Sequence, residues 1–240
     1  MSVDIFNGGK LIPLMEQFYT IQGEGFQTGK PAYFIRVGGC DIGCSWCDSK
    51  FSWQSGRHPL VKVDEILQNA LNAGAKSLVV TGGEPSLYNM DYLTDVFRSA
   101  GLDLFLETSG AYSLSGKWDW ICLSPKRRNP PKAEFFAKAG ELKVIIQTID
   151  DIEWARENAE KVNSKAKLFL QPEWSERDKI LPHILAFVKR NVDAMAAGTA
   201  AAGQGGAGDA LKNRVENEAV DYLVDEAVKA GLENPSIVGR

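Results

Sequence analysis

The sequence predicts an α/β protein built as a partial, open (β/α) barrel. Two regularities and a composition lead there. Short apolar runs alternate with segments of helical period, each pair taking roughly 25 residues, the rhythm of a parallel sheet wound by helical crossovers. The conspicuous motifs each follow a predicted strand, the edge at which such folds place their chemistry. With 44% hydrophobic and 24% charged residues in 240, disorder, collagen and simple coiled coil are excluded as the main architecture.

The elements follow in order. Residues 32–37 (AYFIRV) read as a buried strand broken by Gly38-Gly39. A helix is expected over 63–73, where Val63, Ile66, Leu67, Ala70 and Leu71 share a face and Gly74 closes the end. A strand at 77–81 runs into Gly82-Gly83-Glu84-Pro85. The pattern then repeats: helix 90–99, strands 102–107, 119–123 and 142–146, helix 151–161, strand 167–171, helix 177–190.

The tail departs from this. Residues 194–208 hold seven Ala and five Gly, a linker composition. Residues 209–230 then read as an amphipathic helix, with Asp209 as N-cap, Gly231 past its end, and Leu211, Val215, Ala219, Tyr222 and Leu223 on its apolar face. The expected organisation is a barrel domain over 1–190, a linker over 191–208 and a helical tail over 209–240. Charge divides at the same place. Residues 191–240 carry 8 acidic and 4 basic side chains, accounting for the whole net charge of −4 and leaving 1–190 neutral.

A neutral body lacks the basic footprint of a nucleic-acid binder, although Lys126-Arg127-Arg128 form one short cluster. No apolar run approaches the roughly 18 residues of a membrane span, and the N-terminus lacks the basic start and apolar core of a signal peptide. A cytoplasmic location is expected, with no membrane and no direct nucleic-acid partner. Structural disulfides are not expected there. Of four cysteines, Cys40, Cys44 and Cys47 fall within eight residues, and Cys122 reads as a buried, inert thiol.

The spacing C-x3-C-x2-C lets three thiolates wrap one [4Fe–4S] cluster, with the fourth iron left open to a small molecule. Zinc is the competing reading. It needs a fourth ligand, for which His58 or Cys122 is available, and neither belongs to a second tight pair.

With Trp46 as the aromatic of C-x3-C-x-aromatic-C, the motif resembles the signature of radical S-adenosylmethionine (SAM) enzymes. Thr81-Gly82-Gly83-Glu84-Pro85 resembles that superfamily's GGEP segment. The resemblance implies that the open iron binds SAM and that one electron cleaves it to methionine and a 5′-deoxyadenosyl radical, which takes a hydrogen from the substrate.

The flanks narrow the choice. The segments Tyr19–Gly25, Cys47–Trp53, Glu107–Gly110, Ser124–Lys126 and Leu170–Glu173 together resemble the 7-carboxy-7-deazaguanine synthase family of queuosine biosynthesis, over about residues 10–190. The resemblance implies conversion of 6-carboxy-5,6,7,8-tetrahydropterin to 7-carboxy-7-deazaguanine with loss of ammonia, by hydrogen abstraction at C6. It implies Cys40, Cys44 and Cys47 on the cluster and SAM contacts from Trp46, Gly82, Gly83, Glu84, Ser109, Ser124 and Lys126. Ser49 matches the position that ligates Mg²⁺, an oxygen donor suited to that hard ion. Substrate contacts fall on Gln22, Glu24, Arg36 and Thr81. An amide and a carboxylate can read the donor–acceptor edge of a pterin, and Arg can pair with a carboxylate. An electron donor such as a flavodoxin or ferredoxin and a homodimer are also implied. No catalytic side chain is assigned, because the radical chemistry belongs to SAM and cluster.

After Lys189-Arg190-Asn191 the family's closing strand and its Q-T-H-K-Y-like segment are missing, and the linker and acidic helix stand in their place. Three other readings stay open at this level. The chain is a glycyl-radical-enzyme activase, a synthase scaffold impaired by its atypical end, or a zinc-stapled binding module.

Overall fold

The structure, a computed structural model, describes residues 5–198. The chain packs as two compact units that divide between Glu141 and Leu142.

The first unit is a twisted sheet with its helices. Its strands are β1 (Leu11–Ile21), β2 (Pro31–Val37), β3 (Leu60–Lys62), β4 (Ser77–Gly82), β5 (Asp103–Thr108) and β6 (Trp120–Leu123), in spatial order β3-β1-β2-β4-β5-β6. From β2 through β6 the pairings are parallel, with Arg36 beside Thr81, Val80 beside Leu106, and Thr108 beside Leu123. These strands are nearly continuous apolar runs because both faces are covered. Ile35, Leu78, Val79, Val80, Leu104 and Leu123 are fully buried. Helix α1 (Val63–Asn72) buries Val63, Ile66 and Ala70, and α2 (Asp91–Ser99) buries Leu93, Thr94 and Phe97, the i, i+3, i+4, i+7 stripe expected of crossover helices.

Two features escape the expected pattern, the antiparallel pair β1 and β3 and a short helix. β1 is an eleven-residue strand antiparallel to both β2 and β3. No strand was expected there, and Pro13 inside it cannot donate to a ladder. It is tolerated in the segment that pairs with β3, and the register slips between Leu14 and Glu16 where β1 pairs with β2. The other is the short helix α3 (Ala133–Lys138), too brief to show a period, held by the fully buried Phe135.

The second unit contains most of β7 (Glu141–Ile146), then α4 (Asp150–Ala159), β8 (Lys167–Pro172) and α5 (Arg177–Gly198). β7 and β8 are neighbours, and Glu173 N–H donates to the Ile146 carbonyl at 2.9 Å. α5 starts where expected and continues past 190 to Gly198. Alanine-rich sequence sustains a helix as readily as it forms a linker. The rest of the Ala/Gly segment, from 199, and the helix expected over 209–230 lie outside the described residues.

Candidate active site

The ends of β2, β4, β5 and β6 carry the motif segments of the first unit, and backbone contacts lock them together. Gly83 N–H donates to the Val37 carbonyl at 2.8 Å and Glu84 N–H to the Gly39 carbonyl at 2.8 Å, so the segment after β4 lies flat against the approach to Cys40. This closeness explains the paired glycines. A Cβ on Gly83 would fall on the Gly39 carbonyl oxygen, and Gly82 combines φ +131° with a Cβ position that would strike the Val37 backbone. The cysteine loop is tied from its other side by Gly39 N–H to the Ser52 carbonyl (2.6 Å) and Cys40 N–H to the Trp53 carbonyl (3.1 Å).

Glu84 is the polar centre of this tier. Its carboxylate is 2% exposed, so every lone pair must find a donor. One oxygen accepts from Ser86 N–H at 2.9 Å, Ser86 Oγ at 2.7 Å and the Thr108 hydroxyl. The other accepts from Ser109 N–H at 2.8 Å and Ser109 Oγ at 2.5 Å. Ser124 N–H donates to the Thr108 carbonyl at 2.8 Å, which brings the segment after β6 into the same tier. Lys126 Nζ donates to the carbonyl and hydroxyl of Ser124, both at 2.7 Å, and stands 5.4 Å from the centroid of the Trp46 ring.

The three cysteines are half-buried free thiols. Burial pushes the Cys40 and Cys44 thiols up from their ordinary range, and at Cys44 the Lys126 ammonium opposes that shift. Trp53 Nε1–H donates to Cys47 Sγ at 3.4 Å. Among the described residues, no three His, Cys, Asp or Glu side chains group closely enough to hold one metal ion. A four-iron cluster does not ask for that, because each thiolate binds a different iron. Three accessible thiols on one short loop fit the cluster.

A second set of polar residues lies toward β1 and β2. Gln22 is buried and its Nε2 donates to Glu107 Oε1 at 3.0 Å. Arg36 forms an ion pair with Glu16 at 2.6 Å and reaches Ser49 Oγ at 3.4 Å, and that hydroxyl donates to Asp48 Oδ1 at 3.1 Å. Thr81 is the parallel-register neighbour of Arg36. Glu24 sits exposed on the loop that begins at Gln22. That loop closes through Gly29 N–H to the Gln22 carbonyl at 2.9 Å. It is pinned by the buried Glu141, which accepts from Phe26 N–H at 2.9 Å and Trp120 Nε1–H at 3.1 Å.

The structure therefore joins the expected residues in two groups and adds several that the sequence did not single out. Glu107 was visible only as the first letter of a strand-end motif. Tyr112, whose hydroxyl donates to Asp41 inside the cysteine loop, had no signal. That bond pushes the Tyr112 phenol up to about 12. His58 packs against Gly38, with Nε2 3.0 Å from the Phe51 carbonyl, and so braces the same loop. His183 is exposed and Cys122 is buried.

This arrangement has known counterparts. The Radical SAM superfamily model matches residues 34–167, the stretch from β2 to the start of β8. A 7-carboxy-7-deazaguanine synthase of Flavobacterium psychrophilum is 52% identical over 183 residues, covering 76% of this chain and 87% of its own length. The chain belongs to the 7-carboxy-7-deazaguanine synthase family. A synthase of the same name from Synechocystis sp. is 44% identical over 72% of this chain and 85% of its own. The crystal structure of QueE from Escherichia coli superposes with a TM-score of 0.68 at 29% identity, covering 79% of this chain and 96% of that one. The fold class is thus the open β/α barrel of radical SAM enzymes, and the family implies a [4Fe–4S] cluster and SAM as cofactors. Such kinship sets aside the activase and zinc-module readings. Among the described residues no helix is long and apolar enough to cross a membrane.

Proposed function

We propose that the chain converts 6-carboxy-5,6,7,8-tetrahydropterin to 7-carboxy-7-deazaguanine with loss of ammonia, in the cytoplasm and as a homodimer. The observation that carries the substrate assignment is the Gln22–Glu107 pair, an amide and a carboxylate in contact at 3.0 Å. A pterin's aminopyrimidinone edge offers adjacent donors and an acceptor, which a carboxylate and an amide satisfy together. Arg36 supplies the cation for the substrate carboxylate by exchanging its contact with Glu16.

When bound, cluster and SAM supply one-electron cleavage of SAM and the hydrogen abstraction that follows. The thiolates of Cys40, Cys44 and Cys47 hold the cluster. Glu84 offers a fixed negative charge to the SAM amino group, oriented by its Ser86, Thr108 and Ser109 donors. Gly82 and Gly83 let the backbone approach closely, while Trp46, Ser124 and Lys126 flank the same tier. Preorganised groups of this kind cost no rearrangement when the ligand arrives. Ser49, with Asp48 beside it, is an oxygen pair suited to a Mg²⁺ ion that also takes the substrate carboxylate. Thr81 and Glu24 complete the substrate side. Residues 1–190 form the working body, and 191–240 are an appended tail.

The test is an anaerobic assay of the reconstituted protein with SAM, Mg²⁺, reductant and 6-carboxytetrahydropterin, read by mass spectrometry. Multiple turnovers of 7-carboxy-7-deazaguanine are expected. A protein that cleaves SAM yet forms no product would mean that the substrate side is incompetent, as the impaired-scaffold reading holds.

A further inference from the structure

We infer that Arg127 and Arg128 form the docking rim for an acidic one-electron carrier protein, placed directly beside the cysteine loop. The inference rests on the radical SAM reading above, because only a protein reduced by one electron needs such a rim.

Position is the first argument. A Cβ on Gly43, between Cys40 and Cys44, would stand 2.7 Å from Nη1 of Arg128. The guanidinium therefore lies over the backbone of the loop that bears the cluster ligands. Arg127 and Arg128 are exposed, next in the chain to Lys126, which faces Trp46 of the same loop. Cys40, Cys44 and Cys47 are themselves only half-buried, so a carrier seated here is held close to the iron site.

Charge is the second. Arg36, Arg98, Arg156 and Arg177 each pair with a carboxylate, whereas Arg128 has none among the described residues. A cation left unpaired beside a redox site attracts a partner of opposite sign and speeds encounter more than it tightens the complex. With residues 1–190 neutral overall, the attraction is local to this rim. Two arginines on a neutral body fall short of the six to ten phosphate contacts, roughly, that hold an RNA-binding protein. The carrier loses one electron, the oxidised cluster gains it, and no bond forms or breaks.

The experiment is stopped-flow reduction of the reconstituted holoenzyme by prereduced flavodoxin, an acidic flavoprotein, comparing wild type with Arg127→Glu/Arg128→Glu. At low ionic strength the double variant should reduce about tenfold more slowly or worse, and the gap should close as salt rises. Iron content should match wild type, and reduction by dithionite should change by less than about twofold, as the small ion needs no docking surface. Arg128→Lys, which keeps the charge, should stay near wild type. Equal flavodoxin rates in wild type and double variant would overturn the inference. So would a salt-independent defect, a matching loss with dithionite, or a variant that loses only filter-bound bulk tRNA. Failure of the enzymatic reading looks different: wild type takes up electrons but cleaves no SAM.

Discussion

The two polar groups of the candidate site are built differently. Around Glu84 the partners are mostly backbone and short side chains: two N–H groups, three hydroxyls, and a glycine pair pressed against the cysteine loop. Around Arg36 they are side chains alone, the half-buried Glu16 at 2.6 Å and the hydroxyl of the buried Ser49 at a stretched 3.4 Å. The first group is fixed by the fold itself. The second can exchange partners when a ligand arrives. A cofactor common to a whole superfamily suits the rigid end, and a specific substrate suits the adaptable one.

The largest effect should come from disturbing the rigid end at its backbone. Gly83→Ala drives a methyl group into the Gly39 carbonyl oxygen. It should cost about 3 kcal/mol in urea unfolding and abolish iron incorporation. Gly56→Ala, where nothing stands within 4 Å of the new Cβ, should stay within about 0.5 kcal/mol. Next comes Arg36→Ala, which should lower kcat/KM for the pterin by about 100-fold and leave SAM-dependent spectral changes intact. The smallest effect concerns protonation. Cys40 and Cys44 are raised by burial, so at pH 8 less thiolate is present than in a free cysteine. Alkylation of these two thiols in cluster-free protein should therefore be several-fold slower than that of free cysteine, and should catch up as pH rises above the ordinary thiol range. Peptide mass mapping gives both rates.

Most of the sheet and the rigid end could be read from sequence, and for a physical reason. Buried parallel strands must be apolar throughout, and close backbone approach leaves Gly82-Gly83 as a local mark. C-x3-C-x2-C is equally local. The adaptable end was only half readable. Gln22 and Arg36 were singled out only through resemblance, and their partners Glu107 and Glu16 are 85 and 20 residues away, a separation no local pattern reports. β1, with Pro13 inside it, was not among the expected strands. Glu141 lay just before the strand expected over 142–146, and only the fold shows it pinning the loop after β1. Arg128 stood in sequence only as part of a short basic cluster, and its place over Gly43 comes from the fold.

The division between a rigid cofactor end and an adaptable substrate end is tested most directly by SAM affinity, measured side by side in Glu84→Gln and Arg36→Ala. Glu84→Gln replaces an acceptor-only group with one that sets N–H donors against the donors already facing it. SAM binding should weaken at least about tenfold in that protein and stay within about twofold of wild type in Arg36→Ala. Equal losses in both, or a loss confined to Arg36→Ala, would contradict the assignment of the two ends.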